Sequence, residues 1–165
     1  MSEPVPRLLV VGDGEVAEAL RAHAAVLGWP TQVEKTLEGA RAALPGSAVV
    51  VVTSHHEGVD APAIQEALAA GAAYVGAMGS RRTQERRRAW LLEHGTPEDA
   101  LSALHAPIGL DIGADAPAEI AVAILAEVIA VRAGVEGTVA ASSLRGRTGP
   151  LHPHLAPGTA TCPTG

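Results

Sequence analysis

At Gly79-Ser80-Arg81-Arg82 an apolar run, Ala72 to Met78, gives way to the charged segment TQERRRAW. A serine ahead of a helix caps it, because its hydroxyl accepts a backbone N–H of the first turn. The N–H groups still free at such a helix start attract anions. Arg81 and Arg82, in that first turn, oppose the helix dipole unless a bound anion offsets them. Capture of a phosphate-like group is therefore the chemistry expected of Gly79, Ser80, Arg81 and Arg82. Arg86, Arg87 and Arg88 read differently, as a solvated helix face with Glu85 and Glu93 as partial partners.

A second anion-binding pattern lies near the start, in VVGDGEVAEAL, where Gly12, Gly14 and Ala17 form G-x-G-x-x-A. The first glycine permits a tight turn, the second lets a phosphate approach the backbone, and the small third residue lets helix and strand pack closely. Glu34, about 20 positions on at the end of the second strand, is placed to bind ribose hydroxyls. Asp13 and Glu15 put negative charge beside this turn and repel a diphosphate unless they point to solvent. The competing reading is that the glycines serve packing alone.

Pro107 to Pro117, PIGLDIGADAP, interrupts what should be the fifth strand. Gly109 and Gly113 suit either tight turns or close approach to a ligand. His105 and Asp111 can supply a proton or a hydrogen bond, or can simply fix the loop. His55 and His56 are adjacent on an extended segment, so they point to opposite sides and make a poor pair for one metal. His152, His154 and Cys162 show no ligand spacing, and no metal site is expected.

These residues need a scaffold. Short apolar runs, RLLVVG, SAVVVVTS and AAYVGAM, with TQVEK reading as a further strand, alternate with helical segments that end at Gly28, Gly71 and Gly95. Asp60 is a candidate helix cap. The helix AEIAVAILAEVIAVRAG is apolar on nearly every face and should be buried on several sides, against the sheet and a partner subunit. Wholly apolar strands alternating with helices imply a parallel sheet covered on both faces, a doubly wound, Rossmann-like α/β domain over 1–136. Residues 137–165, rich in Gly, Pro, Thr and Ser, read as an extended or disordered tail.

Composition narrows the function. The 165 residues are 47% hydrophobic but only 2% aromatic, with no Phe, so Val, Leu, Ile and Ala must build the core. A net charge of −6 argues against nucleic-acid binding through phosphate neutralisation, so any anion site must be local. The single cysteine forms no intrachain disulfide, and no signal peptide or membrane-length apolar run is seen. A soluble cytoplasmic protein is expected.

YVGAMGSRRT together with LHAPIGLDIGADAPAEIAVAILAEVIAVRAG resembles the C-terminal Rossmann-like domain of the XdhC/CoxI family, accessory proteins of molybdenum hydroxylases such as xanthine dehydrogenase. The similarity runs from the first glycine turn to about Pro153. It implies a role in molybdenum-cofactor maturation: binding a molybdopterin-type cofactor, aiding its sulfuration and delivering it to the apo-enzyme, without independent catalysis. It also marks Ser54-His55-His56 as the counterpart of the family's T-H-D pattern, which makes His55 a site residue. The family's G-A-G-H-V turn carries Asp13 and Glu15 here. The family's N-terminal domain, with its cysteine, is absent from this chain, so a separately encoded N-terminal domain is an expected partner, alongside the molybdoenzyme and a second copy of the chain. The alternatives are an NAD(P)-binding redox or regulatory domain and a degenerate fold serving dimerisation.

Overall fold

The computed structural model describes residues 4–134. The tail from 137 onward, with His152, His154 and Cys162, lies outside the described residues. Five strands form one parallel sheet in the order β2-β1-β3-β4-β5: β1 Leu8–Val11, β2 Thr31–Glu34, β3 Val49–Val52, β4 Tyr74–Ala77 and β5 Leu104–His105. The fold is the expected Rossmann-like α/β arrangement. Strand five differs in place. It is the two-residue Leu104–His105, ahead of the Gly- and Pro-rich stretch, and Pro107 to Ala116 runs as a loop into the last helix.

The helices are α1 Glu15–Val26, α2 Leu37–Ala43, α3 Asp60–Ala69, α4 Arg81–Glu93, α5 Glu98–Leu101 and α6 Pro117–Arg132. β1 and β3, LLVV and VVVV, are buried along their whole length, and alternate residues feed two cores. Leu8, Val10, Val49 and Val51 pack with Leu20 of α1 and Ile124 and Val128 of α6. Leu9, Val11, Val50 and Val52 pack with Ile64 of α3, Leu91 of α4 and Leu101 of α5. Strand periodicity of two thus serves both faces of one sheet, which explains why no polar residue interrupts these strands.

α6 is buried along its sheet-facing side. Ile124 and Val128 are sealed against the sheet, but Val122 and Ile129 are 46% and 45% exposed. Its last turn is tied to the chain start: Arg132 donates to the Pro4 carbonyl at 3.1 Å and lies 5.5 Å from the Trp29 ring centroid. α1 and α6 therefore run side by side, both ending at the amino edge of the sheet. No helix among the described residues is long and apolar enough to cross a membrane.

Candidate functional site: the carboxyl edge of the sheet

Chain direction reverses between β1, which leads outward to β2, and β3, which leads the other way to β4. In open α/β sheets that reversal opens a crevice beyond the strand ends. Most of the candidate residues lie along this edge. Gly12 and Gly14 follow β1, Ser54 to His56 follow β3, and Gly79 to Arg82 follow β4.

The two glycines of the first turn differ physically. Gly12, at φ 139°, is jammed: a Cβ there would lie 2.3 Å from Thr53 Oγ1 and 2.6 Å from the Ser54 nitrogen. Gly14, at φ 91°, would place its Cβ in open space. Gly14 precedes α1, whose start has no side-chain cap. One glycine lets strands approach, and the other leaves the helix start open. Asp13 and Glu15 are exposed, and Asp13 Oδ2 lies 3.7 Å from Lys35 Nζ, so their charges are turned to solvent or partly offset.

Glu34 stands at the carboxyl end of β2, beside the glycine turn. Its carbonyl accepts from Gly12 N at 2.8 Å, while its carboxylate takes the Gln32 amide at 2.8 Å and sits over Gly39 of α2. His55 is exposed on the loop after β3. Beneath it Thr53 and Ser54 are buried and form the floor, with Ser54 Oγ accepting from His56 N at 3.1 Å.

Ser80 caps α4, its hydroxyl accepting from Thr83 N at 3.2 Å. Gln84 Nε2 donates to the carbonyls of Ala77 and Gly79 and ties the helix to the strand end. Arg81 and Arg82 are exposed and form no ion pair or side-chain hydrogen bond among the described residues. Two adjacent cations thus stand at a helix's positive end with no acid answering them.

The reading of Arg86, Arg87 and Arg88 as a solvated face fails at its centre. Arg87 is 1% exposed. Its Nε donates to Asp60 Oδ2 at 2.8 Å, its Nη2 to the Ser54 carbonyl at 2.9 Å, and its Nη1 to the Met78 carbonyl. Asp60 is correspondingly not the cap of α3. Val59 holds that position, and Asp60 is the first helical residue, buried, with Oδ1 accepting from Ala61 N at 2.7 Å. The expected partners of the outer arginines were also different: Arg86 pairs with Glu57 at 2.9 Å and approaches Asp60 at 3.7 Å, and Arg88 pairs with Glu98. Consecutive helical residues point about 100° apart, so Arg86, Arg87 and Arg88 do not share one face. Leu91, one turn beyond Arg87 and fully buried, was the available signal.

The β4–β5 side is organised by Glu127 of α6. Tyr74 Oη donates to Glu127 Oε2 at 2.5 Å and Gly109 N donates to the same oxygen at 2.9 Å. His105 Nδ1 lies 3.6 Å from Oε1, and its ring stacks on Tyr74 with centroids 4.6 Å apart. Gly109 and His105 thereby fix the loop after β5. Asp111 is exposed further along it, beside a hollow of about 140 Å³ lined by Ile108, Ile112 and Ile120. Burial raises the pKa of Glu127, but hydrogen bonds from His105, Tyr74 and Gly109 outweigh it and hold the carboxyl below its ordinary value. Burial and the Glu127 carboxylate push the Tyr74 phenol far up, so it remains a donor.

A carboxyl whose folded pKa is depressed stabilises the fold above its unfolded pKa, and that contribution is lost as pH falls through the folded value. Glu127→Gln is therefore expected to be less stable than wild type at about pH 7, with the gap closing below about pH 4. Urea midpoints at both pH values test this, and a gap that is constant with pH would refute it.

Among the described residues, no group of three or more His, Cys, Asp or Glu side chains is placed to hold a metal ion. Residues 8–128 match the family model described as the XdhC Rossmann domain. The chain is 30% identical over 156 residues to the uncharacterized protein YqeB of Escherichia coli K12, covering 80% of this chain and 28% of YqeB. It is also 30% identical over 130 residues to the molybdenum cofactor insertion chaperone PaoD of the same organism, covering 78% of this chain and 41% of PaoD. A crystal structure from Bacillus halodurans, described as a xanthine dehydrogenase, shares the fold with a TM-score of 0.60 at 23% identity, covering 86% of this chain and 46% of that one. The chain thus spans less than half the length of each of these proteins. With the glycine turn after β1, the serine-capped arginine turn after β4 and a family match running from β1 into α6, this chain belongs to the XdhC Rossmann domain family.

Proposed function

We propose that the chain acts in molybdenum-cofactor maturation, its carboxyl edge holding the phosphate or diphosphate end of a molybdopterin-type cofactor for delivery to a xanthine dehydrogenase-type apo-enzyme. The observation that carries this reading is the start of α4, where Ser80 caps the helix and Arg81 and Arg82 have no acidic partner among the described residues. The similarity to PaoD supports the cofactor class. The residues present suit a phosphate: guanidinium groups offer several donors each, and open space beside Gly14 lets an anion reach the backbone. In this reading Arg81, Arg82 and the first amides of α4 hold the anionic end. Gly14 admits it, and His55 borders the mouth. The bound cofactor would supply the molybdenum redox chemistry used by the client enzyme. This chain's part is to bind and orient.

The test is a titration of purified protein with molybdopterin released from a molybdoenzyme, with NADPH and inorganic pyrophosphate in parallel. Replacing Arg81 and Arg82 together with Ala is expected to weaken molybdopterin and pyrophosphate at least about tenfold, about 1.4 kcal/mol. Unchanged affinity in that double variant removes the proposed site. Tight NADPH binding without molybdopterin binding would replace the reading with a nucleotide-responsive one.

A further inference from the structure

Past the ends of β4 and β5, the loop from Pro107 to Ala116 and the first turns of α6 border a hollow of about 140 Å³. Its walls are aliphatic: Ile108, Leu110, Ile112, Ile120 and Ala123. Backbone contacts hold the loop in place. Ile108 N donates to the carbonyl of Ala77, the last residue of β4, and its side chain rests on Gly76, where a Cβ would lie 2.5 Å from Ile108 Cδ1. Leu110 N donates to the Ala123 carbonyl at 3.2 Å, and Gly109 N to Glu127. Ile112 N then closes a three-residue turn onto the Leu110 carbonyl at 3.0 Å, with Asp111 at its apex. Asp111 is the only charged side chain lining the hollow. It is exposed, and its carboxylate has no hydrogen bond or ion pair among the described residues. Glu119 and Glu127, the two acids of α6, are both occupied by N–H groups of this same loop.

We propose that this hollow takes the pyrimidine edge of a pterin ring, with Asp111 as the residue that selects it. For the identity of its ligand the assignment rests on the molybdopterin reading, and it adds the end of the ligand remote from the phosphate. Size is the first argument. The hollow is well under the roughly 300–1,000 Å³ of sites that enclose a whole drug-sized ligand, so it suits one ring system. Hydrogen bonding is the second. A pterin presents a ring N–H and a 2-amino group side by side on one edge. An ionised carboxylate only accepts, and its two oxygens can meet both donors in charge-assisted bonds. Adenine offers a ring acceptor in place of that N–H, and the nicotinamide carboxamide offers one N–H group beside an oxygen. The same carboxylate therefore discriminates against NAD(P). Exposure is the third. Ile112 stands 48% exposed at the rim, and a flat ring seated in the hollow would cover it. Placement is the fourth. Ala77, which anchors Ile108, shortly precedes Gly79, so the hollow and the arginine turn leave the same strand end. A ligand with a ring at one end and a phosphate at the other has a group for each.

Titrating the full chain with GMP, IMP and AMP varies only the base. GMP presents the paired donors, IMP lacks the 2-amino group, and AMP lacks the ring N–H as well. GMP is expected to bind at least about tenfold tighter than AMP, with IMP between them. Asp111→Asn should cut that preference to under about twofold and weaken free pterin at least about tenfold. Pyrophosphate affinity and the thermal midpoint should not change in this variant, because the carboxylate bonds to nothing among the described residues. Free pterin carries no phosphate, so replacing Arg81 and Arg82 with Ala should leave its affinity as it is. If pyrophosphate ignores those arginines while pterin still needs Asp111, the anion site falls and the ring site stands. Equal affinity for GMP and AMP in the wild type overturns the proposal. So does pterin binding that is indifferent to Asp111→Asn, or no pterin binding up to about 1 mM. Guanosine binding more tightly than pterin would assign the hollow to a guanine nucleotide and overturns it too.

Discussion

Arg87→Ala is expected to cost about 3–5 kcal/mol of folding stability, because it leaves the Asp60 carboxylate buried without its partner. Both side chains are 1% exposed, and the guanidinium also satisfies the carbonyls of Ser54 and Met78 at the ends of β3 and β4. One side chain therefore clamps two lips of the crevice to α3. Arg86, already 3.7 Å from Asp60 and half exposed, can move to take part of the charge, which favours the lower end of that range. Asp60→Asn combined with Arg87→Met should recover part of the loss, since no bare charge remains. Chemical denaturation of the single and double variants decides the matter. A loss under about 1 kcal/mol for Arg87→Ala would show that the pair contributes nothing beyond a surface bridge.

Gly12→Ala is expected to destabilise by about 3 kcal/mol or more, adding overpacking to backbone strain at positive φ. Its Cβ would meet the backbone nitrogen of Ser54, which donates to the Val11 carbonyl at 3.0 Å and cannot yield without breaking strand pairing. Gly14→Ala shares the positive φ but meets nothing, so about 1–2 kcal/mol of strain is all that should appear. The contrast separates two roles within one motif. Gly12 serves contact between the ends of β1 and β3, while Gly14 keeps the approach to α1 clear. Thermal or urea midpoints of both variants test the ranking, and equal losses would refute it.

Much of the architecture was legible in the chain itself. LLVV and VVVV, short, Val-rich and bounded by Pro and Gly or Ser, read as strands buried on both faces, and the glycines at 28, 71 and 95 mark helix ends where they stand. Ser80 caps α4 as its position before an arginine pair implied. Strand five lies ahead of the Gly- and Pro-rich stretch and leaves little local pattern, since the pairing that defines β5 spans only two residues.

The sequence alone determined the alternation of strands and helices and the positions of the glycine turn after β1 and the serine-capped turn after β4, because local periodicity and helix-end chemistry depend on near neighbours. Tertiary structure alone decided which charges are buried. Arg87 meets Asp60 across 27 positions and Tyr74 meets Glu127 across 53, so no local pattern distinguished them from solvated neighbours. Burial follows from the face a helix turns to the sheet, and that direction is set by packing, not by charge.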